Sequence, residues 1–533
     1  MPQARQVING REYVYEYKSV WNKEKKRSEQ KREYIGRIKD GEFVANTKYC
    51  LRGELENIKA VKVRQGTSAP ATQCKRQFIG ATYLFDKIGE ITGVYDDIKA
   101  SFPGIHKEIL SLAYYLALEP SSPLYRFKRW AATHVHPCAR DIPSQRSSEI
   151  LPMITEAQKM DFLRRQSKRR EENEFLFFDS TSISSYSEHL KQVKYGKNKD
   201  GDNLQQINLA LLFGQTSCLP TYYRKLPGNI NDVSTIMHII NSIKYIDIKK
   251  ICFILDRGYY SAKNVNMMFK EHHKFVIGAK MSLKIINNIL EQERDDFDRR
   301  DNYNEECDVF IKTQTIDWDY REIKARNGKE IKEQRRMYVH IYYNDQLATD
   351  EKKSLSKLLN SLEEDLLTGK RQARREKLYT RYYDITETPV RGIRLTPKQR
   401  EIDEARKNFG FFAHLSNGIK DPVESLRMYR SNDLIEKSFS DLKDRLSMRR
   451  TQVSSEENLE GKLFLQFVGL IYLSYIKQVM DKNCMFKHYT MQELLDELDV
   501  IERFQQPGHA AYYGEITDKQ TKLYATFGVE PPA

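Results

Sequence analysis

Five short apolar runs constrain the fold of residues 171–280 more than any other feature of the sequence. They cover residues 175–178, 207–213, 219–223, 251–255 and 274–278. Continuous apolar runs of this length are typical of strands that are buried on both faces of a sheet. Residues 233–245 and 261–271 have the pattern of helices, so the predicted order is three strands, helix, strand, helix and strand. We therefore expect an α/β fold, with a mixed sheet flanked by helices.

Two aspartates lie at the ends of predicted strands. Asp179 follows the first strand, and Asp256 follows the fourth. In the ribonuclease H-like sheet, which has this order of elements, the first and fourth strands are neighbours. We therefore expect the two carboxylates to converge at one edge of such a sheet.

The stretch 429–443 predicts a single amphipathic helix. An apolar stripe recurs along one face at Ile435, Phe439, Leu442 and Leu446. A second stripe, beside the first, consists of Tyr429, Asn432, Glu436 and Lys443. An acid, a base and a tyrosine in line beside a buried face suggest a helix edge that faces a site. An ordinary amphipathic helix with a solvated charged side is the alternative.

The overall charge favours a polyanionic partner. The 533 residues include 88 Lys and Arg against 74 Asp and Glu, a formal net charge of +14. Nucleic acid and an anionic membrane surface both fit this surplus. We expect nucleic acid and no membrane, because no run of 18 apolar residues and no apolar amino-terminal segment is present. Seven scattered cysteines argue against a disulfide framework and for a reducing compartment.

Composition and pattern divide the chain into six segments. Residues 1–66 are β-rich, with a hairpin whose tip is basic, and 67–170 are mostly helical and serve as a DNA-binding or linker region. The two parts of the sheet domain are 171–280 and 409–480, separated by a β-rich insertion at 281–408. Residues 481–533 form a carboxyl-terminal region, where we expect a helix over 491–504.

Two aspartates at strand ends and one glutamate on a late helix suggest a site of three carboxylates. Carboxylate oxygens are the ligands that hard divalent cations prefer. Two such cations can activate the attacking oxygen and stabilise the leaving oxygen in phosphodiester displacement. Each signal has a structural alternative, because an aspartate after a strand is often only a cap.

Four segments together resemble a known family. DSTSIS, KLPGNINDVST, FILDRGYYS and YRSNDLIEKSFSDLK are similar, in this order, to blocks of the DDE transposases of bacterial insertion sequences, in the group named for a Y-R-E-K signature. Asp179 and Asp256 are 77 residues apart, and Glu436 follows 180 residues later. Tyr429, Glu436 and Lys443 fit the signature, but Asn432 stands where the family has arginine.

The resemblance implies a mechanism and a set of site residues. Asp179 would bridge two Mg²⁺ ions, for which Mn²⁺ can substitute, and Asp256 and Glu436 would each hold one of them. The predicted DNA contacts are Tyr429, Lys443, Asn432, Arg257 and Trp318. Trp318 either stacks on a flipped base or packs in the fold.

The resemblance also implies partners and a location. The chain would cut the ends of an insertion sequence, free a 3′-OH and join it to target DNA, as a homodimer on paired double-stranded ends. It would act in the bacterial cytoplasm, associated with the nucleoid. Two alternatives remain open, namely a catalytically silent relic that binds ends as a repressor, and a host nuclease of the same fold.

Overall fold

A computed structural model describes most of the chain in two compact units. The described residues are 2–22, 27–39, 42–50, 74–169, 174–187, 189–196, 198–199, 201, 203–230, 232–243, 251–323, 330–388, 392–431, 433–446 and 448–533. One unit is Met1–Arg76 with Arg503–Tyr512, and the other is Gln77–Glu502 with Tyr513–Ala533. The tip of the predicted hairpin and Asn432 lie outside the described residues.

The amino-terminal unit is built on a four-stranded antiparallel sheet. Its strands, in sheet order, are β1 (Gln3–Ile8), β2 (Arg11–Asn22), β3 (Arg27–Lys39) and β4 (Glu42–Ala45). The predicted hairpin is confirmed as β2 and β3, whose register shifts between Val14 and Tyr15. Such a bulge increases the local twist of the pair.

Helices dominate the chain from residue 80 to residue 168, as expected. They are α1 (Gly80–Thr92), α2 (Val94–Ser101), α3 (His106–Leu118), α4 (Phe127–Thr133), α5 (Ser144–Met153) and α6 (Glu156–Lys168). A capping box starts α6, because Thr155 and Gln158 each bond the other's backbone N–H. A short strand, β5 (Lys75–Phe78), precedes the helices.

The predicted sheet is present, with the predicted order of elements. It contains β6 (Phe175–Ser184), β7 (Gln206–Gly214), β8 (Pro220–Pro227), α7 (Asp232–Ile243), β9 (Cys252–Leu255), α8 (Ala262–Lys270) and β10 (Lys274–Ala279). The spatial order is β8–β7–β6–β9–β10. The first two pairings are antiparallel, while β6–β9 and β9–β10 are parallel. This is the arrangement of a ribonuclease H-like core, so the predicted fold class is confirmed.

The insertion contributes to this sheet as well as to a smaller core of its own. Strands β11 (Tyr303–Asn304), β12 (Val309–Ile323) and β13 (Glu330–Tyr343) continue the sheet through β16 (Phe411–Ser416), which pairs with β10. A helix, α9 (Lys284–Glu293), precedes them.

The remaining elements of the insertion are α10 (Asp345–Leu367), α11 (Glu376–Tyr382), β14 (Tyr383–Thr388), β15 (Gly392–Pro397) and α12 (Gln399–Arg406). Their core centres on Leu362 and Tyr379. The sequence predicted the strands of this segment but not its helices.

The single helix predicted over 429–443 is wrong. The chain forms α13 (Pro422–Arg430), a break, α14 (Asp433–Ser440) and a π-helical turn over Asp441–Arg445. At the break the Ser431 hydroxyl donates to the Arg427 carbonyl over 2.8 Å. Short polar side chains compete with the helical backbone in this way and favour a helix end. Ile435 and Phe439 are nevertheless buried, as their spacing predicts.

A long central helix completes the core. Helix α15 (Glu456–Lys482) is capped by Ser455 and contacts α1, α3, α5 and β8. It is long and apolar enough to cross a membrane by length and composition, but 78% of its most apolar window is buried inside the protein. It therefore serves as a core helix of the protein.

The helix predicted over 491–504 is shorter than expected. Helix α16 (Met491–Asp499) ends early, and β17 (Glu502–Gln505) follows it. This strand joins a three-stranded sheet with β5 and β18 (Tyr512–Tyr513), so strand pairing prevails over helical pattern there. Helix α17 (Asp518–Thr526) ends the chain's regular structure.

Lys462 on α15 makes the stability of the protein dependent on pH. Its ammonium is buried and donates to the Thr451 carbonyl over 2.9 Å. Burial lowers the pKa of Lys462 from 10.5 to about 8. Between these values the unfolded chain binds more protons than the folded chain, so this residue makes stability rise with pH. Below about pH 8 the cost of burying the charge is present in full.

We expect Lys462→Met to stabilise the protein most below pH 8, by up to about 3 kcal/mol before the loss of the Thr451 bond is subtracted. The advantage should shrink as pH rises towards 10. Urea unfolding of wild type and variant across this range measures it. Lys482→Met, on an exposed turn of the same helix, is the matched control. A stability difference that stays constant with pH would contradict the assignment.

Candidate active site

The structure places the two predicted aspartates on neighbouring strands. Parallel pairing of β6 and β9 sets Phe178 opposite Leu255, and Asp179 and Asp256 each follow one residue later. Paired strands lie about 4.8 Å apart. The two aspartates therefore lie on adjacent strands, as the order of elements predicts. The predicted end of the first strand is wrong, because β6 continues to Ser184 by pairing with β7, so Asp179 lies inside the strand.

Asp179 is held from three sides. Its Oδ1 accepts hydrogen bonds from the Tyr259 hydroxyl and the Ser180 N–H, both over 2.7 Å. The Lys199 ammonium lies 3.2 Å from the same oxygen and also donates to the Ser180 carbonyl. Tyr259 is buried and packs edge-on against Phe178, so its hydroxyl is fixed by the core. Asp179 is thus an oriented carboxylate that already attracts one cationic side chain.

Asp256 is held in a similar way by a second tyrosine. Its Oδ1 accepts from the Tyr429 hydroxyl over 2.8 Å and from the Arg257 N–H over 2.7 Å. Burial raises the pKa of Tyr429, and the adjacent charge of Asp256 raises it further. The phenol therefore stays protonated and keeps donating to the carboxylate.

The position of Tyr429 depends on two residues behind it. Its ring lies 4.2 Å, centroid to centroid, from the ring of His414. Burial lowers the pKa of His414 to about 3, so this histidine is neutral and the Tyr429 ring packs against an uncharged side chain. On the neighbouring strand, a Cβ at Gly278 would lie 2.5 Å from the Tyr429 hydroxyl oxygen. Only glycine leaves room there for the tyrosine to reach Asp256.

Glu436 does not join the two aspartates in this structure. It is exposed on α14, a helix that contacts β6. In the described part of the chain, no group of three or more His, Cys, Asp and Glu residues could hold a metal ion. The break before α14 places Tyr429 and Glu436 on different helices, so the predicted common stripe of these two residues is absent. Lys443 is half-buried in the π-helical turn.

The other predicted DNA contacts have different environments. Arg257 is exposed directly beside Asp256. Trp318 on β12 is only 8% exposed, and its Nε1 donates to Asn266 Oδ1 over 2.7 Å. It lines a cavity of about 670 Å³ with Asn266 and Arg321. These contacts favour the packing interpretation, and stacking on a base stays a prediction.

Sequence reasoning missed four residues around the aspartates. Tyr259, Lys199, His414 and Gly278 act through contacts between elements that are distant in sequence. Two of these residues, Gly278 and Tyr259, have a feature in the sequence that could have identified them. A glycine inside an apolar strand indicates close approach of another group, and Tyr259 stands three residues after Asp256.

We expect Gly278→Ala to destabilise the protein by about 1–3 kcal/mol, because the new methyl group overlaps the Tyr429 hydroxyl. In a Tyr429→Phe background the penalty should fall by at least about 0.5 kcal/mol, since the clashing oxygen is gone. Chemical unfolding of the two single variants and the double variant measures this coupling.

The matched control is Gly104→Ala, because no atom lies within 4 Å of a Cβ there. That change should leave the free energy of unfolding close to wild type. Additive effects of Gly278→Ala and Tyr429→Phe would contradict the proposed contact.

Comparison with known proteins gives matches to a family model and to a solved structure. A family model described as a transposase DDE domain matches residues 170–471. No curated protein sequence matches significantly. Among solved structures, the chain is similar to the cryo-EM structure of the piggyBac transposase synaptic complex with hairpin DNA. The two are 10% identical, with a TM-score of 0.36, over 76% of this chain and 70% of that chain.

The family match spans more than half of the chain and includes the whole sheet from β6 to β16, with both aspartates and Glu436. The protein therefore belongs to the family of transposases with a DDE domain.

Proposed function

We propose that this transposase cuts the ends of an insertion sequence and joins them to target DNA by metal-dependent hydrolysis and transesterification. The observation that carries the proposal is the pair of oriented carboxylates on adjacent parallel strands, Asp179 within β6 and Asp256 directly after β9. Membership of the family supports DNA as the substrate. The net charge of +14 fits the same partner.

The donor set fits a divalent cation such as Mg²⁺ or Mn²⁺. Both groups offer carboxylate oxygens, which hard cations prefer. The hydrogen bonds described for the two carboxylates all go to Oδ1, so the second oxygen of each is the candidate ligand atom. When bound, two such ions supply Lewis-acid activation of the attacking oxygen and charge stabilisation of the leaving oxygen.

The protein's own residues orient this site. The hydroxyls of Tyr259 and Tyr429 fix the rotation of Asp179 and Asp256, which reduces the reorganisation needed for binding. Glu436 is proposed as the third carboxylate, which requires α14 to approach the strand ends on DNA. Lys443, Asn432 and Arg257 are proposed to contact phosphates.

The assembly is part of the same proposal. We expect a homodimer on paired double-stranded ends, since two ends must be cut and joined together. The proposed location is the bacterial cytoplasm, on the nucleoid.

A second candidate is a relic that binds ends without cutting. Two observations favour it. Asn432 stands where the Y-R-E-K signature that the sequence resembles has arginine, and the described residues do not assemble three carboxylates. In that case the site around Asp179 and Asp256 would be a remnant, and DNA binding would be the remaining activity.

The test uses purified protein, a DNA fragment that carries the element's end, and Mg²⁺ or Mn²⁺. We expect Asp179→Asn, Asp256→Asn and Glu436→Gln each to lower the cleavage rate at least about 100-fold, because each removes a charge from the site. Mapping of cut strands to single nucleotides measures the rate and the position. Glu363→Gln, an exposed change on α10, is the matched control and should cut normally.

Each other outcome has a definite meaning. Normal cleavage by an aspartate variant would refute the assigned site. End binding without cleavage in either metal would establish the relic, and cleavage without end preference or joining would indicate a nuclease.

A further inference from the structure

One face of the amino-terminal sheet carries a row of aromatic side chains. Tyr13, Tyr15, Tyr17 and Trp21 are separated by even numbers of residues along β2, with Ser19 between the last two, so they point to the same side of the sheet. On β3, Tyr34 lies opposite Tyr15. The Tyr34 ring is 5.8 Å from that of Tyr13 and 5.7 Å from that of Tyr15. We call these five residues, with Arg32 and Arg37, the aromatic face.

On the opposite side of the same sheet, side chains of β2 are buried by other described residues of this unit. Val14 is 3% exposed, and Glu16 is buried and accepts a hydrogen bond from the Tyr49 hydroxyl over 3.3 Å. Tyr49 belongs to the helical residues 47–50, which follow β4. Among the described residues of this unit, packing therefore accounts for the residues on that side of the sheet but not for the aromatic face.

Trp21 is exposed in a way that core packing does not explain. Its side chain is 60% exposed, whereas the other two tryptophans, Trp130 and Trp318, are 4% and 8% exposed. Tyr34 is 39% exposed. Tyr13, Tyr15 and Tyr17 in the same row are half-buried. A continuous row of large aromatic side chains that includes exposed members indicates a binding surface rather than scattered surface residues.

The charge of the aromatic face selects an anionic partner. Arg32 pairs across the strands with Tyr17, and Arg37 pairs with Tyr13, so both arginines are on the same side of the sheet as the rings. Both arginines are exposed. The first 50 residues contain twelve Lys and Arg against seven Asp and Glu. Rings alternating with cations are the combination that binds bases and phosphates together.

The spacing of the rings favours an unpaired strand over a duplex. Alternate residues of a strand are about 6.6–6.8 Å apart, roughly twice the 3.4 Å rise per base along each strand of a duplex. Successive rings can therefore each take a base only when the bases are unstacked. Bases in a duplex are already stacked on one another and do not offer their faces.

We propose that the aromatic face binds single-stranded DNA, by stacking bases on its rings and pairing phosphates with Arg32 and Arg37. This binding goes beyond the proposed cleavage and does not require Asp179, Asp256 or a metal. It gives the protein a place to hold an unpaired strand.

The test measures binding of full-length protein to a fluorescently labelled oligothymidine of about twelve nucleotides, within the usual range of site sizes. EDTA is present, so that no cleavage occurs. We expect Trp21→Ala to weaken binding about tenfold, in the range known for loss of one base–aromatic stack. Trp21→Phe should retain most of the affinity, because phenylalanine also stacks.

A second pair of variants tests the contribution of positive charge on the aromatic face to binding. Arg37→Ala removes a cation from the aromatic face, whereas Lys18→Ala removes one from the other side of the same strand. We expect the first change to weaken binding more than the second. Equal losses from both, with no effect of Trp21→Ala, would mean general attraction of charge and would overturn the proposal.

Tryptophan emission gives an independent readout. Since the other two tryptophans are buried, added oligothymidine should quench the emission of wild type and leave that of Trp21→Phe nearly unchanged. Tighter binding of a duplex of equal length, unaffected by Trp21→Ala, would also overturn the proposal.

The result is separable from the proposed cleavage. If wild type fails to cut DNA but binds the oligothymidine through Trp21, only the proposed cleavage function is refuted. If wild type cuts DNA and Trp21→Ala binds the oligothymidine normally, only the proposed binding by the aromatic face is refuted.

Discussion

The parallel pairing of β6 with β9 is the interaction on which the candidate site depends. It brings two carboxylates side by side, where their like charges oppose each other. The sheet imposes this proximity, because β6 and β9 are fixed by their neighbours on both sides. Tyrosine hydroxyls then supply each carboxylate with a donor, and Lys199 supplies one positive charge. The repulsion that remains is what a divalent cation would relieve.

The tyrosines connect this site to the rest of the core. Tyr259 is fixed from within the sheet by Phe178, whereas Tyr429 comes from α13 and rests on His414 of β16. Strand β16 is also the strand through which the insertion joins the sheet. The orientation of Asp256 therefore depends on residues beyond the minimal five-stranded core. The extended sheet is part of the support of the site and not only an addition to its edge.

The sequence allowed prediction of those features that arise from local pattern. Apolar runs and the helices between them were sufficient for the order β6 to β10, and this order placed Asp179 beside Asp256. The break at Ser431 was not predictable from apolar spacing, because Ile435 and Phe439 keep helical period within α14 whether or not α13 continues into it. The contacts of Tyr259 and Gly278 were also missed, since they join segments that only the folded chain brings together. The approach of Glu436 stays a prediction for the same reason.

The helical part of the insertion leaves the sheet and returns to it at adjacent strand ends. Tyr343 and Phe411 are paired residues of β13 and β16, and the Asn344 N–H donates to the Gly410 carbonyl over 3.0 Å, so the segment leaves and returns at one place. Topologically, residues 345–409 are the loop of a β-hairpin. A hairpin loop can lengthen at little entropic cost, and exposed loops are where domain insertions are tolerated. With its own apolar core, this segment could be gained, lost or exchanged during evolution as one module, while the sheet beneath it kept its register.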